Sequence, residues 1–63
     1  MKINKQKLLK QRQLALLTQR ELADKAGLNK VTICHIETKD KDFSITTIKK
    51  ICKALDISIN EIL

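Results

Sequence analysis

The order of apolar and polar residues along this chain predicts short α-helices separated by turns. The clearest period lies in the C-terminal third, where apolar residues recur at steps of three and four and form one stripe on a helix. The members of this stripe are Ile45, Ile48, Ile51, Cys52 and Leu55. A first helix, over about Asn4 to Leu14, is less regular, since only Leu8, Leu9 and Ala15 form a partial stripe among lysines.

Capping residues predict the ends of a second helix. Thr18 and Glu21 have the spacing of a capping box, in which the side chain of each residue accepts a hydrogen bond from the backbone N–H of the other. The helix from Gln19 to Ala26 is expected to stop at Gly27, because glycine adopts a left-handed conformation at little cost. The sequence therefore predicts a short helix with a sharp end.

Further capping residues divide the remainder of the chain. Asn29 is expected to cap a third helix that ends near Thr38. Ser44 opens the fourth helix, which carries the apolar stripe, and Asp56 is expected to end it. Ser58 with Glu61 has the pattern of a second capping box, which predicts a short terminal helix.

Composition agrees with these helices, since the chain has one glycine and no proline in 63 residues. Five helices in so short a chain make an all-α fold, and residues 1–63 are expected to form one compact domain.

The charge is concentrated at the N-terminal end. The net charge is +6, and residues 1–20 contain six Lys and Arg residues but no acid. Residues 21–63 contain seven lysines and seven acids, so they are neutral overall. A basic segment of this kind suits a polyanion such as nucleic acid, although a merely solvated helix face remains the alternative.

The composition also argues against several classes of protein. A chain this small leaves about 40% of its unfolded-state surface exposed and cannot enclose a deep substrate cavity. It has one histidine, no arrangement of residues typical of nucleophilic catalysis and no glycine-rich phosphate loop, so we expect no enzymatic activity and no cofactor.

The two cysteines, Cys34 and Cys52, are expected to be reduced and to bind no metal. The chain is expected to be cytoplasmic and not membrane-bound.

The segment from Gln19 to Ile36 carries the most specific pattern. Gln19 opens the second helix, Ala23 stands at the fifth place and Gly27 at the ninth. The small side chain of Ala23 lets the next helix cross closely. Apolar residues occupy the other places that would bury the inner corner, namely Leu22, Ala26, Leu28, Ile33 and Ile36.

This pattern resembles the helix-turn-helix of the lambda repressor and Cro family, also called XRE-type. The resemblance covers nearly the whole chain, and it implies a lambda repressor-like five-helix domain in which helices two and three form the helix-turn-helix. This chain departs from the family at three turns. The family usually has Gly at the positions of Leu16 and Lys39, and Gly or Asn at the position of Asp56. Retaining a left-handed backbone there would cost roughly 1 kcal/mol per residue, so reshaped turns are expected.

The resemblance implies that the outer side of the third helix reads bases in the major groove. The residues expected to approach base edges are Asn29, Lys30, Val31 and His35. Lys30 can donate to guanine N7 and O6, and Val31 can pack on a thymine methyl group. For Asn29 a capping role, and for Lys30 a phosphate contact, remain open.

The resemblance also implies contacts with DNA phosphates and an ion pair that stabilises the fold. The residues expected to contact phosphate are Lys10, Thr18, Gln19 and Thr32. Arg12 and Glu37 occupy positions at which family members form a partly buried ion pair between the first and third helices. A phosphate contact by Arg12 is the alternative.

The function implied is sequence-specific binding of double-stranded DNA as a transcriptional regulator, most simply a repressor. A homodimer on a palindromic operator is expected, because one small domain buries little DNA surface. The C-terminal residues Ile57, Ile59, Ile62 and Leu63 are the candidate dimer surface, unless the three isoleucines only pack in the core. The alternative function is a protein-interaction module that binds another regulator or a toxin and has weak or no DNA binding.

Overall fold

The computed structural model describes all 63 residues and is entirely α-helical apart from turns and one 3₁₀ turn. The four helices are α1 (Lys5–Leu14), α2 (Gln19–Ala26), α3 (Lys30–Thr38) and α4 (Ile45–Leu55). The all-α class and these four helices are confirmed. The fifth helix is wrong as predicted, since Ile59–Ile62 is a four-residue 3₁₀ helix.

The reason for this difference lies at the predicted capping box. Ser58 makes no side-chain hydrogen bond at the start of the segment. The backbone N–H of Glu61 bonds instead to the carbonyl oxygen of Ser58 at 3.0 Å, which is the i→i+3 spacing of a 3₁₀ turn. The turn is nevertheless well fixed, because Ile62 is fully buried and its carbonyl accepts from the N–H of Asn4 at 2.7 Å.

A single core of twelve buried apolar residues joins all five elements. Its largest fully buried side chains are Leu8, Leu22, Ile33, Ile36, Ile48, Ile51 and Ile62. Four of the five residues predicted for the α4 stripe are buried, but Ile45 is 47% exposed because it is the first residue of the helix. Ala15 is likewise exposed, since it follows the last residue of α1.

The predicted helix boundaries coincide with observed caps. Thr18 and Glu21 form the complete capping box of α2, which ends at Gly27 with φ of 70°. Asn4 caps α1 by accepting from the backbone N–H groups of Gln6 and Lys7. Ser44 caps α4 by accepting from the N–H of Thr47.

Of the three turns that depart from the family, only the turn at Lys39 is reshaped as expected, and the expectation is wrong for Leu16 and Asp56. Leu16 and Asp56 keep a left-handed backbone, with φ of 59° and 55°. Lys39 has φ of −110° and ψ of 139°, so the turn after α3 is extended and carries no such strain. Asp56 ends α4 as predicted. The longest helix has 11 residues, and none of the helices has the length and apolarity of a membrane span.

Candidate nucleic-acid interface

Helices α2 and α3 pack closely around the turn at Gly27. The left-handed glycine lets the chain reverse, and the N–H of Leu28 bonds to the carbonyl of Ala23 at 2.8 Å. Ala23 is 1% exposed, so a larger side chain there would push the two helices apart. Ile33 and Ile36 of α3 are fully buried, which leaves the opposite side of α3 facing solvent.

That outer side carries the four residues predicted to read bases. Asn29 and Lys30 are exposed at the start of α3. Val31 is 63% exposed although it is a β-branched apolar residue, and His35 is half-buried one turn further along. Thr32 is half-buried beside them.

Asn29 does not act as the predicted side-chain cap. It occupies the N-cap position, but its side chain forms no capping hydrogen bond. Its carbonyl accepts the first backbone bond of the helix from the N–H of Ile33 at 3.2 Å, as the N-cap carbonyls of α1, α2 and α4 also do. The amide of Asn29 is therefore uncommitted within the protein.

Gln19 lies next to this surface. Together with Lys30, Val31, Cys34 and His35 it borders a shallow depression of about 170 Å³ between the start of α2 and the outer side of α3. We refer to the depression lined by these five residues as the α2–α3 depression. It brings one predicted phosphate-contacting residue together with three of the predicted base-reading residues.

Arg12 and Glu37 form a bidentate ion pair between α1 and α3. The Nε of Arg12 donates to Oε2 of Glu37 at 2.6 Å, and Nη2 donates to Oε1 at 3.1 Å. The two side chains are only 14% and 4% exposed. The third nitrogen, Nη1, donates to the carbonyl oxygen of Leu17 at 2.8 Å, so the guanidinium also holds the turn before α2.

Gln19 is linked to this pair through its amide. Its Nε2 donates to Oε1 of Glu37 at 3.2 Å. One of the two N–H groups of the amide is thereby used inside the protein, and the other is left for an external acceptor. The sequence pattern did not predict this bond, because it depends on how the ends of α2 and α3 are oriented in space.

The N-terminus of α2 offers further donors beside Gln19. Within the capping box, Oγ1 of Thr18 accepts from the N–H of Glu21 at 3.1 Å, and the N–H of Thr18 donates to Oε1 of Glu21 at 2.9 Å. The bond from the Thr18 backbone lowers the pKa of Glu21. The backbone N–H groups of Gln19 and Arg20 have no partner, so this helix end keeps two uncommitted donors.

Lys10 is not brought to the α2–α3 depression. It borders a separate depression between α1 and the terminal 3₁₀ helix, together with Lys7, Gln11, Asn60 and Glu61. Within that group, Nε2 of Gln11 donates to Oε2 of Glu61 at 3.4 Å. A phosphate contact by Lys10 would therefore extend the interface along α1 rather than add to the surface of α3.

Comparison with known proteins agrees with this geometry. The helix-turn-helix family model HTH_3 matches residues 8–62. The crystal structure of the restriction-modification controller protein C.AhdI from Aeromonas hydrophila is similar, with a TM-score of 0.84 and 32% sequence identity over 90% of this chain and 86% of that one. No curated protein is significantly similar to the chain.

Proposed function

Because the chain belongs to the helix-turn-helix family, in its lambda repressor and Cro-like branch, we propose that it regulates transcription, most simply as a repressor, by binding particular sequences of double-stranded DNA. One observation supports this proposal most strongly. One side of α3 is buried, and its other side presents polar groups without a partner in the protein and the exposed Val31, next to the start of α2. The similarity to a restriction-modification controller supports a regulatory role.

In the proposed complex, α3 lies in the major groove and its exposed residues approach base edges. Lys30 donates to N7 and O6 of a guanine, and the uncommitted amide of Asn29 suits N6 and N7 of an adenine. Val31 supplies an apolar contact, and His35 supplies a donor or an acceptor according to its protonation.

The proposed phosphate contacts fix the position of α3 without identifying sequence. Gln19 contributes the second N–H of its side-chain amide, and the positive end of α2 with its two uncommitted backbone donors favours a phosphate oxygen at the same place. Thr18 and Thr32 flank this point, and Lys10 contacts the backbone further along the duplex.

We propose a homodimer on a palindromic operator, because a domain of this size buries too little DNA surface to bind tightly alone. The candidate dimer surface is smaller than the sequence suggested. Ile62 is fully buried, and Ile57 and Ile59 are half-buried against the core. Only Leu63, which is 45% exposed, remains largely available.

Two measurements test this function. Binding to random-sequence duplex DNA at about 50 and 200 mM salt is expected to weaken with a logarithmic slope near −0.9 for each neutralised phosphate. Selection of bound duplexes from a random library is then expected to recover a palindrome. An absence of duplex binding at low salt would favour the alternative, a module that binds another regulator or a toxin.

Two matched variants test whether the outer side of α3 contacts bases. Lys30→Ala is expected to weaken binding to the selected duplex and to relax the preference at one base pair, by about tenfold for a lost bidentate contact. Lys53→Ala removes the same charge from the exposed side of α4 and is expected to leave the base preference unchanged. Equal effects of the two variants would contradict the placement of α3 in the groove.

A further inference from the structure

A second depression, of about 470 Å³, lies between the C-terminal end of α2 and the second half of α4. Three lysines and three small residues border it, namely Lys25, Lys50, Lys53, Ala26, Gly27 and Ala54. We refer to it as the α2–α4 depression. It shares no residue with the α2–α3 depression, so it is separate from the surface proposed to read DNA.

The lysines of the α2–α4 depression have no acidic partner. All three are exposed, and none of the ion pairs of the protein involves Lys25, Lys50 or Lys53. Residues 21–63 are neutral overall, so three unpaired cations at one place are a local concentration of charge. Such a cluster attracts an anionic group.

No large side chain fills the space between these lysines. Ala26 and Ala54 are buried, and Gly27 has no side chain. A methyl group added at Gly27 would meet no atom within 4 Å. An approaching chain can therefore reach the backbone at the end of α2.

The end of α2 offers hydrogen-bond acceptors at the same place. The carbonyl groups of Lys25 and Ala26 accept no hydrogen bond within the protein, and the C-terminal end of a helix carries the negative end of its dipole. The exposed carboxylate of Asp24 borders the same depression. A phosphate chain, which offers acceptors only, would match the lysines but not these groups. An acidic protein segment matches both, because its side chains are carboxylates and its backbone supplies N–H donors.

A second copy of this chain does not offer a free acidic segment. Asp40 and Asp42 are the only two acids that lie two positions apart. Each of them already forms an ion pair within its own chain. The occupant with the required chemistry is therefore another protein.

We propose that the α2–α4 depression binds an acidic segment of another protein. Lys25, Lys50 and Lys53 pair with its Asp or Glu side chains, and the free carbonyl groups at the end of α2 accept from its backbone N–H groups. This interaction goes beyond the proposed DNA binding and does not depend on it. Because the two surfaces share no residue, the partner binds while α3 occupies DNA.

The test is a nuclear magnetic resonance titration of the ¹⁵N-labelled protein with a short synthetic peptide of alternating Glu and Ala. The amide signals of residues 25–27 and 50–54 are expected to shift together and to saturate. The same peptide with Gln in place of Glu is expected to shift none of them. A single-stranded oligothymidylate of equal charge is expected to shift these signals much less than the acidic peptide does.

Matched variants connect the binding to the depression. Lys50→Gln and Lys53→Gln are each expected to weaken binding of the acidic peptide about threefold, the effect of one exposed ion pair. Lys49→Gln removes the same charge from an exposed position of α4 outside the depression and is expected to leave binding unchanged. Glutamine favours a helix about as well as lysine, and circular dichroism checks that each variant is folded.

Four results would overturn this inference. The acidic peptide produces no shifts, or its shifts extend equally to the lysines of α1. Lys49→Gln weakens binding as much as Lys50→Gln, which would mean that only the overall charge matters. Oligothymidylate shifts the same signals as strongly, which would make the depression a general anion site. Duplex binding by the same protein is measured separately, so none of these results decides the proposed function.

Discussion

Leu16 combines two unfavourable features in one residue. It adopts a left-handed backbone with φ of 59°, and its side chain is 88% exposed. A non-glycine residue in this conformation costs roughly 1–2 kcal/mol, and no burial offsets that cost here. We expect Leu16→Gly to raise the free energy of unfolding by about 1 kcal/mol, after allowance for the greater entropy of glycine in the unfolded chain. Urea denaturation followed by circular dichroism measures this change.

Lys39 provides the matched control for Leu16. Both residues stand where the family usually has glycine, but Lys39 has an extended backbone that any residue adopts. Lys39→Gly is therefore expected to leave the free energy of unfolding unchanged or to lower it by less than about 1 kcal/mol. Stabilisation by Lys39→Gly, or none by Leu16→Gly, would show that backbone conformation does not determine these effects.

At the scale of the helices, the structure separates caps that form hydrogen bonds from residues that only occupy the cap position. Thr18 and Ser44 each accept from a backbone N–H, whereas Asn29 and Ser58 do not. Thr18→Ala and Ser44→Ala are expected to lower the free energy of unfolding by about 1 kcal/mol each. Asn29→Ala and Ser58→Ala are expected to change it by less than about 0.5 kcal/mol. The same denaturation assay compares the four variants, and equal losses at all four positions would contradict this division.

These helices also show what the sequence can predict and why. The spacing of the apolar residues and the turn residues predict the four α-helices and the capping box of α2. The helices and the capping box can be predicted because each depends on residues that lie within one turn of each other. Whether Asn29 or Ser58 makes a capping bond depends on side-chain orientation and surrounding packing. The bond from Gln19 to Glu37 joins residues 18 positions apart. Neither feature leaves a periodic signal in the chain.

The ion pair of Arg12 and Glu37 connects the packing of α1 and α3 to Gln19, which belongs to the proposed DNA-binding surface. Breaking a buried pair by removing one partner costs about 3 kcal/mol or more, because the other charge stays buried alone. We expect Arg12→Ala and Glu37→Ala each to lower the melting temperature markedly, and the double variant to recover part of the loss. Purely additive losses in stability, with an effect mainly on DNA affinity, would show instead that Arg12 contacts phosphate.

The bond between Glu37 and Gln19 adds a second test to the same series. If Glu37 positions the Gln19 amide toward a phosphate, Gln19→Ala should weaken binding to all duplexes about equally. In a variant that already carries Glu37→Gln, Gln19→Ala is expected to cost less, because the partner that orients the amide has changed. Additive losses in DNA affinity would mean that Gln19 acts independently of Glu37.

At the scale of the whole molecule, we expect the uneven charge and the small size together to determine which lysines affect the proposed DNA binding. The folded chain measures 23 × 21 × 19 Å, more than twice the Debye length of about 8 Å at physiological ionic strength. Charges on a face that does not touch DNA are therefore largely screened from it. The net charge of +6 then matters less than the location of each lysine.

Lys10 and Lys50 allow this argument to be tested with equal changes in net charge. Lys10 lies beside Lys7 on α1, in the basic N-terminal third, whereas Lys50 borders a different depression between the end of α2 and α4. Both residues are exposed, so neither alanine variant is expected to change stability by more than about 0.5 kcal/mol. If Lys10 contacts a phosphate, Lys10→Ala should reduce the salt-dependent slope of DNA binding by about 0.9, and Lys50→Ala should reduce it much less. Equal reductions would mean that the lysines act through the overall field of the protein, and no reduction for Lys10→Ala would remove α1 from the proposed interface.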